Sequence, residues 1–116
     1  MILDALQLRL LEKIRSDLAG YSVVRSTSPL DNRAIWLEIF ADGIHKGNSC
    51  QTLLKKLNIN CKEVAGLGND YNDIDFLDIC AEAYLVANAP VNLQRHYKLV
   101  KSDKEEGFTE FISKVL

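Results

Sequence analysis

Hydrophobic and polar positions recur along this chain with two different periods, and each change of period marks an element. Leu3, Leu6, Leu10, Ile14 and Leu18 follow one another at three- and four-residue steps, which predicts a helix over 3–19 with one apolar face. Gly20 stands where a helix-terminating residue is expected. Residues 21–27 are rich in β-branched and aromatic side chains and predict a strand. Ser28-Pro29-Leu30-Asp31-Asn32 is turn chemistry, and 34–40 predicts a second strand, antiparallel to the first.

The pattern changes at the turn Ala41-Asp42-Gly43. From there helix and strand alternate: helix 48–57, strand 63–67, helix 72–80, strand 83–87, a short strand 97–100 and a closing helix 108–116. Such alternation with short connections implies a parallel sheet covered by helices. The fold class expected is therefore α/β, with a domain boundary that divides the chain into 1–41 and 42–116. No internal repeat or low-complexity segment interrupts the pattern.

With 116 residues, 47% of them hydrophobic, the chain is of ordinary domain size and can bury a core. A formal net charge of −2 supplies no basic surface for nucleic acid. No apolar run approaches the roughly 18 residues that would span a bilayer, and Asp4 stands where a signal peptide carries positive charge. A cytoplasmic protein that engages neither nucleic acid nor membrane is the expectation. Cys50, Cys61 and Cys80 form no CxxC pair and fit no zinc spacing, so they read as reduced thiols.

Candidate chemistry is concentrated in Gly66-Leu67-Gly68-Asn69-Asp70-Tyr71-Asn72-Asp73-Ile74-Asp75-Phe76-Leu77. An apolar strand runs into glycines, then into side chains with oxygen donors, then into an amphipathic helix. In an open α/β sheet, ligands sit beyond the carboxyl ends of strands. Asn69, Asp70, Asn72 and Asp73 offer oxygen alone, which suits a hard cation such as Mg²⁺ rather than zinc. The same residues also make ordinary helix caps, where acids are favoured by the helix dipole.

Gly68 to Leu77 resembles the fourth signature of the haloacid dehalogenase (HAD) superfamily, in its Cof-type and sucrose-phosphatase-like phosphatases. The pattern there is GDxxND followed by an apolar pair; here Gly68, Asn72-Asp73 and Phe76-Leu77 match it. The first Asp of the pattern is replaced by Asn69, with Asp70 directly after. In the family that acid binds Mg²⁺, so the resemblance gives the role either to the Asn69 amide oxygen or to Asp70 after a small shift of the loop. Gly43-Ile44-His45-Lys46-Gly47 resembles the segment that delivers the third-signature lysine, which identifies Lys46 by position. A lysine beside carboxylates makes sense for phosphoryl chemistry, which is mostly positioning and charge neutralisation; taken alone, Lys46 reads as a solvated lysine ahead of a helix, and it is the downstream acidic motif that reverses this. His45 reads as a surface histidine. Val86-Ala87-Asn88-Ala89-Pro90 is similar to the family strand that ends in Asn-Ala, which places Asn88 at the rim of the cleft; a turn role explains it too. Lys104-Glu105-Glu106 reads as a solvated charge run ahead of packing by Phe108, Phe111 and Val115.

The resemblance implies part of a HAD Rossmann-like core, a parallel sheet with flanking helices, preceded by a remnant of a C2-type α+β cap over 1–41. It implies Asn69, Asp70 and Asp73 as metal ligands, Lys46 as the phosphate-neutralising cation, and Gly68, Asn72 and Asn88 as loop and rim residues. The family's first signature, DxD after an apolar strand, supplies the nucleophile; the DxD here, Asp73-Ile74-Asp75, belongs to the acidic turn. The leading expectation is thus the C-terminal part of a Mg²⁺-dependent phosphatase for a small phosphorylated metabolite, a sugar phosphate first among them. It is inactive alone, and associates with itself or with an N-terminal fragment. The rival, from another class, is a non-catalytic binding or interaction module. A flavodoxin-like receiver domain is a third and weaker reading, since residues 1–40 carry no phosphoacceptor Asp after an early strand.

Overall fold

The computed structural model describes residues 2–4, 8–28, 30 and 34–116, with the backbone alone for 2–4. It divides into two compact units, Met1–His45 and Lys46–Leu116; the sequence places the division slightly earlier, after residue 41.

The first unit holds β1 (Ile2–Asp4), α1 (Leu8–Asp17), β2 (Tyr21–Thr27) and β3 (Ala34–Ala41) in an antiparallel sheet of order β1-β3-β2. Leu3 therefore lies in a strand, not in the helix that the leucine spacing predicts. Its backbone pairs with Ile35, as Ile2 does with Trp36, and a ladder with β3 outweighs helical spacing over so few residues. Leu6 lies outside the described residues. The β2·β3 hairpin follows expectation, with Tyr21 opposite Ala41 and Thr27 opposite Ile35. Leu11 on α1 and Ile35 and Leu37 on β3 make its core, with Ile14 and Val23 against them. Gly20 has φ +97°, a left-handed conformation in which a Cβ would be strained, and the Tyr21 amide closes the helix end on the Leu18 carbonyl at 3.0 Å. Of the predicted turn, Ser28 is buried and its Oγ accepts from the Leu30 amide at 3.2 Å; Pro29 and residues 31–33 lie outside the described residues.

The second unit runs α2 (Lys46–Leu57), β4 (Ala65–Gly68), α3 (Ile74–Leu77), β5 (Glu82–Val86), α4 (Val91–Gln94), β6 (Lys98–Val100) and α5 (Gly107–Val115). Its three strands form a parallel sheet of order β4-β5-β6, Ala65 beside Glu82 and Tyr84 beside Lys98. In parallel pairs, partners in register point to one face. Gly66, Gly68, Ala83 and Leu85 therefore share the face under Leu77 of α3, while Leu67, Tyr84 and Val86 share the other. There Phe111 of α5 meets Tyr84 edge-on, ring centroids 5.4 Å apart. Leu77 and Leu85 are the most completely buried large side chains.

Two predicted elements and one packing residue are redrawn. Glu63 was expected in a strand, but its carboxylate returns to the Asn60 amide while the Asn60 side chain accepts from Lys62. That capping box folds 61–63 into a 3-10 turn and delays β4 to Ala65. The helix expected over 72–80 is one 3-10 turn, Tyr71–Asp73, and one α turn, α3; it ends as the Cys80 amide takes the Leu77 carbonyl, a tightened i→i+3 bond. Phe108, expected to pack, is 64% exposed, and Phe111 alone of that pair is buried. Among the described residues, no helix is long and apolar enough to cross a membrane.

Candidate functional site

The acidic turn follows directly from the carboxyl end of β4. Asp73 is 3% exposed, and a buried carboxylate persists only where donors surround it. Its Oδ2 accepts the backbone N–H groups of Asn69 at 2.8 Å and Asp70 at 3.2 Å. Its Oδ1 accepts from Lys46 Nζ. Asp70 caps the same turn, its Oδ1 accepting the Tyr71 amide at 2.7 Å. One carboxylate thus ties together the loop after β4, the start of α3 and the first residue of α2.

Glycines make this convergence possible. A Cβ on Gly68 would stand 2.8 Å from the Asp73 Cβ and 2.8 Å from Leu77 Cδ1, and a Cβ on Gly47 would stand 2.6 Å from the Asp75 carbonyl oxygen. Both distances are below any ordinary carbon contact, so glycine lets α2 close on α3 and lets the turn fold over β4. Closing α2 onto α3 is what brings Lys46 within reach of Asp73. The Lys46 side chain remains 50% exposed, so two of its three ammonium protons are available to an anion outside.

The remaining predicted residues sit as follows. Asn69 is exposed, while Asp70 and Asn72 are half-buried. Asn72 Oδ1 is buried and accepts no hydrogen bond. Asn88, exposed beyond the end of β5, is engaged with the loop after β6: its Nδ2 donates to Asp103 Oδ1 at 2.8 Å and its Oδ1 accepts the Asp103 amide at 3.3 Å. Gln94 steadies the same segment, its Nε2 donating to the Ala87 and Ala89 carbonyls at 3.0 and 2.8 Å. Asp103, Gln94 and Gly47 are the supporting residues that sequence reasoning missed. Nothing in the spacing of Asp103 or Gln94 announces them, whereas Gly47 directly after Lys46 was a readable signal of close helix approach.

The donors of the acidic turn are amide and carboxylate oxygens, with no thiol or imidazole, and the orphaned Asn72 Oδ1 is a buried acceptor without a donor. That set suits a hard divalent cation. Among the described residues no three His, Cys, Asp or Glu side chains make a metal cage by themselves, so any such ion takes oxygen donors from Asn side chains or from elsewhere as well.

A family model described as haloacid dehalogenase-like hydrolase matches residues 4–112. A Streptococcus pyogenes serotype M6 protein named putative phosphatase is 27% identical over 95 residues, 81% of this chain and 33% of its own length. Among solved structures, SMU.1108c from Streptococcus mutans UA159 superposes with TM-score 0.74 at 27% identity, over 93% of this chain and 40% of that one. A HAD subclass IIB sugar phosphatase superposes with TM-score 0.74 at 14% identity, over 91% of this chain and 39% of that one; at that identity the likeness is one of fold. The chain spans about a third to two fifths of the length of these relatives. With nearly its whole length covered by the family match, the chain belongs to the haloacid dehalogenase-like hydrolases.

Proposed function

We propose that this chain carries the cation- and phosphate-binding half of a Mg²⁺-dependent phosphatase for small phosphorylated metabolites, sugar phosphates first among them. Lys46 neutralises the phosphoryl oxygens. Asn69 and Asp70 present oxygens to the cation, and Asp73, whose own oxygens are engaged by Lys46 and two backbone amides, holds the turn and the lysine in place while adding its charge. Bound Mg²⁺ supplies charge neutralisation at the phosphoryl group. Gly68 and Asn72 shape the turn, and Asn88 stands at the rim with Asp103. The nucleophilic carboxylate comes from outside this chain, and residues 1–41 are the remnant of a cap.

The observation that carries this reading is the contact of Lys46 with Asp73 at the carboxyl end of a parallel strand. An ammonium and an oxygen-only turn meet there, and charge neutralisation is the principal demand of phosphoryl transfer. The fold likeness to a sugar phosphatase supports the choice of substrate class.

The test is a titration of the chain with MgCl₂, and separately with inorganic phosphate, followed by amide NMR. The amides of 68–73 are expected to shift with Mg²⁺, and those around Lys46 with phosphate. Unmoved spectra at millimolar ligand would overturn the reading and leave the non-catalytic module in its place. Turnover of p-nitrophenyl phosphate by the chain alone would refute the assignment of the nucleophile to a partner segment.

A further inference from the structure

The turn that ends β5 lies next to the acidic turn. Leu85 stands beside Gly68 in the parallel register, and neighbouring strands run about 4.8 Å apart. Directly after Val86 the chain folds back, the Ala89 amide taking the Val86 carbonyl at 3.0 Å. Asn88 therefore stays at the carboxyl edge of the sheet, one strand over from Asn69 and Asp70, and ligands of parallel sheets gather at that edge.

Asn88 and Asp103 are both exposed, yet both are fixed. The Asn88 carboxamide makes two bonds with one residue, Nδ2 donating to Asp103 Oδ1 at 2.8 Å and Oδ1 accepting the Asp103 amide at 3.3 Å. Around Asn88, Gln94 Nε2 holds the Ala87 and Ala89 carbonyls at 3.0 and 2.8 Å. Around Asp103 the bracing is denser. The Lys101 amide donates to Glu110 Oε2 at 2.7 Å, Ser102 Oγ donates to Glu105 Oε2 at 2.7 Å, and the Gly107 amide closes on the Ser102 carbonyl at 2.9 Å. The closure is so tight that a Cβ on Gly107 would stand 2.1 Å from the Lys101 carbonyl oxygen, and Glu106 takes a left-handed φ of 65° to complete it. Exposed side chains ordinarily change rotamer freely; these two are held in one arrangement from both sides.

What the pair has left over decides what it binds. A carboxamide nitrogen carries two hydrogens and a carboxylate offers two oxygens. With one of each spent inside the pair, one Asn88 N–H and Asp103 Oδ2 remain without a bond among the described residues. A donor beside an acceptor matches a hydroxyl, whose oxygen accepts from the first and whose hydrogen goes to the second. A phosphoryl group is repelled by the Asp103 carboxylate and is drawn instead to Lys46. We propose that Asn88 and Asp103 form a hydroxyl-recognising subsite at this edge, which selects phosphate monoesters whose carbon skeleton carries hydroxyl groups over those whose skeleton is bare. The assignment rests on the phosphate site proposed at Lys46 and adds to it the residues that choose among esters.

The experiment compares α-glycerol phosphate with propyl phosphate, esters of one skeleton that differ only in their hydroxyl groups, titrated separately into the intact chain and followed by amide NMR. Both should shift the amides around Lys46. Only α-glycerol phosphate should shift the Asn88 side-chain amide and the Asp103 backbone amide, and it should bind about tenfold more tightly, as one hydrogen bond to a charged group allows. Asn88→Ala and Asp103→Asn should each bring the ratio of the two dissociation constants close to one. Asp103→Asn keeps an oxygen for the Asn88 N–H and replaces the remaining acceptor by a donor, so it reads recognition without removing the clamp. Equal affinities in the unmutated chain, or a preference that survives both substitutions, would overturn the subsite and leave the Lys46 reading in place; silence at Lys46 with both esters would overturn the two together.

Discussion

Asp73 and Lys46 form one ion pair with unequal partners. The carboxylate is buried and accepts three donors, whereas the lysine is half-exposed. Removing the buried partner strands two backbone amides, while removing the exposed one frees a single carboxylate oxygen toward solvent. Asp73→Ala is expected to cost about 2–3 kcal/mol, the range of hydrogen bonds to a charged group. Lys46→Ala should cost about 1 kcal/mol or less, as half-exposed pairs do. Urea unfolding of the two variants checks the order, and an equal or greater loss for Lys46→Ala would contradict it. Tyr97 poses a different residue-scale question. Burial, and then its hydrogen bond to Asp78 Oδ1 at 2.7 Å, raise its phenol above the ordinary 10.0. A folded value above the unfolded one favours the protonated form in the fold, so the contribution is complete below pH about 10 and is lost as pH rises beyond it. Stability of the chain should therefore fall more steeply above pH 10 than that of Tyr97→Phe. Parallel denaturation curves at pH 8, 10 and 11 measure the difference, and identical pH slopes would remove Tyr97 as the cause.

At the scale of elements, the acidic turn depends on how closely α2 can approach α3. Gly47 sits at that approach, so Gly47→Ala should push the helices apart and cost about 1–3 kcal/mol by overpacking, although alanine favours the helix itself by about 1 kcal/mol. Hydrogen exchange at the Asn69 and Asp70 amides is the sensitive readout, because both bond to Asp73. Unchanged protection there would mean that the turn is held without α2. What could be read from sequence divides along the same physical line. The strands 21–27 and 34–40 and the helix ending at Leu57 were legible because their own residue types and periods support them. Leu3 was misread since its place is set by Ile35, more than thirty residues away, and Glu63 because a local capping box competes with the strand. The acidic turn announced its chemistry through residue type. Its geometry was hidden, because the pairing of Asp73 with Lys46 spans 27 positions and depends on a glycine whose function is to leave room. Phe108 shows the converse: an aromatic residue beside a buried one at helical spacing still faces solvent when only one side of α5 meets the sheet.

The second unit leaves a strand edge and several large apolar side chains open. Strand β4 pairs only with β5 among the described residues, yet α3 covers one of its faces and the other packs toward α5, so it has the surroundings of an interior strand and the open edge of an outer one. Leu53 and Leu57 on α2 are 54% and 58% exposed, and Ile59 just beyond is 41% exposed. An unpaired strand edge and exposed leucines are a template for association, and the relatives, each more than twice as long by the shares given above, have chain enough to cover it. The isolated chain is therefore expected to self-associate, with an apparent mass in sedimentation equilibrium that rises with concentration. Leu53→Glu combined with Leu57→Glu should shift that rise to higher concentration by about tenfold, equivalent to about 1.4 kcal/mol of lost contact, since each leucine contributes apolar area that charge removes. A mass that stays monomeric across the whole range would show that the β4 edge and the α2 leucines are compatible with water as they stand, and the partner-segment part of the proposed function would lose its physical motive.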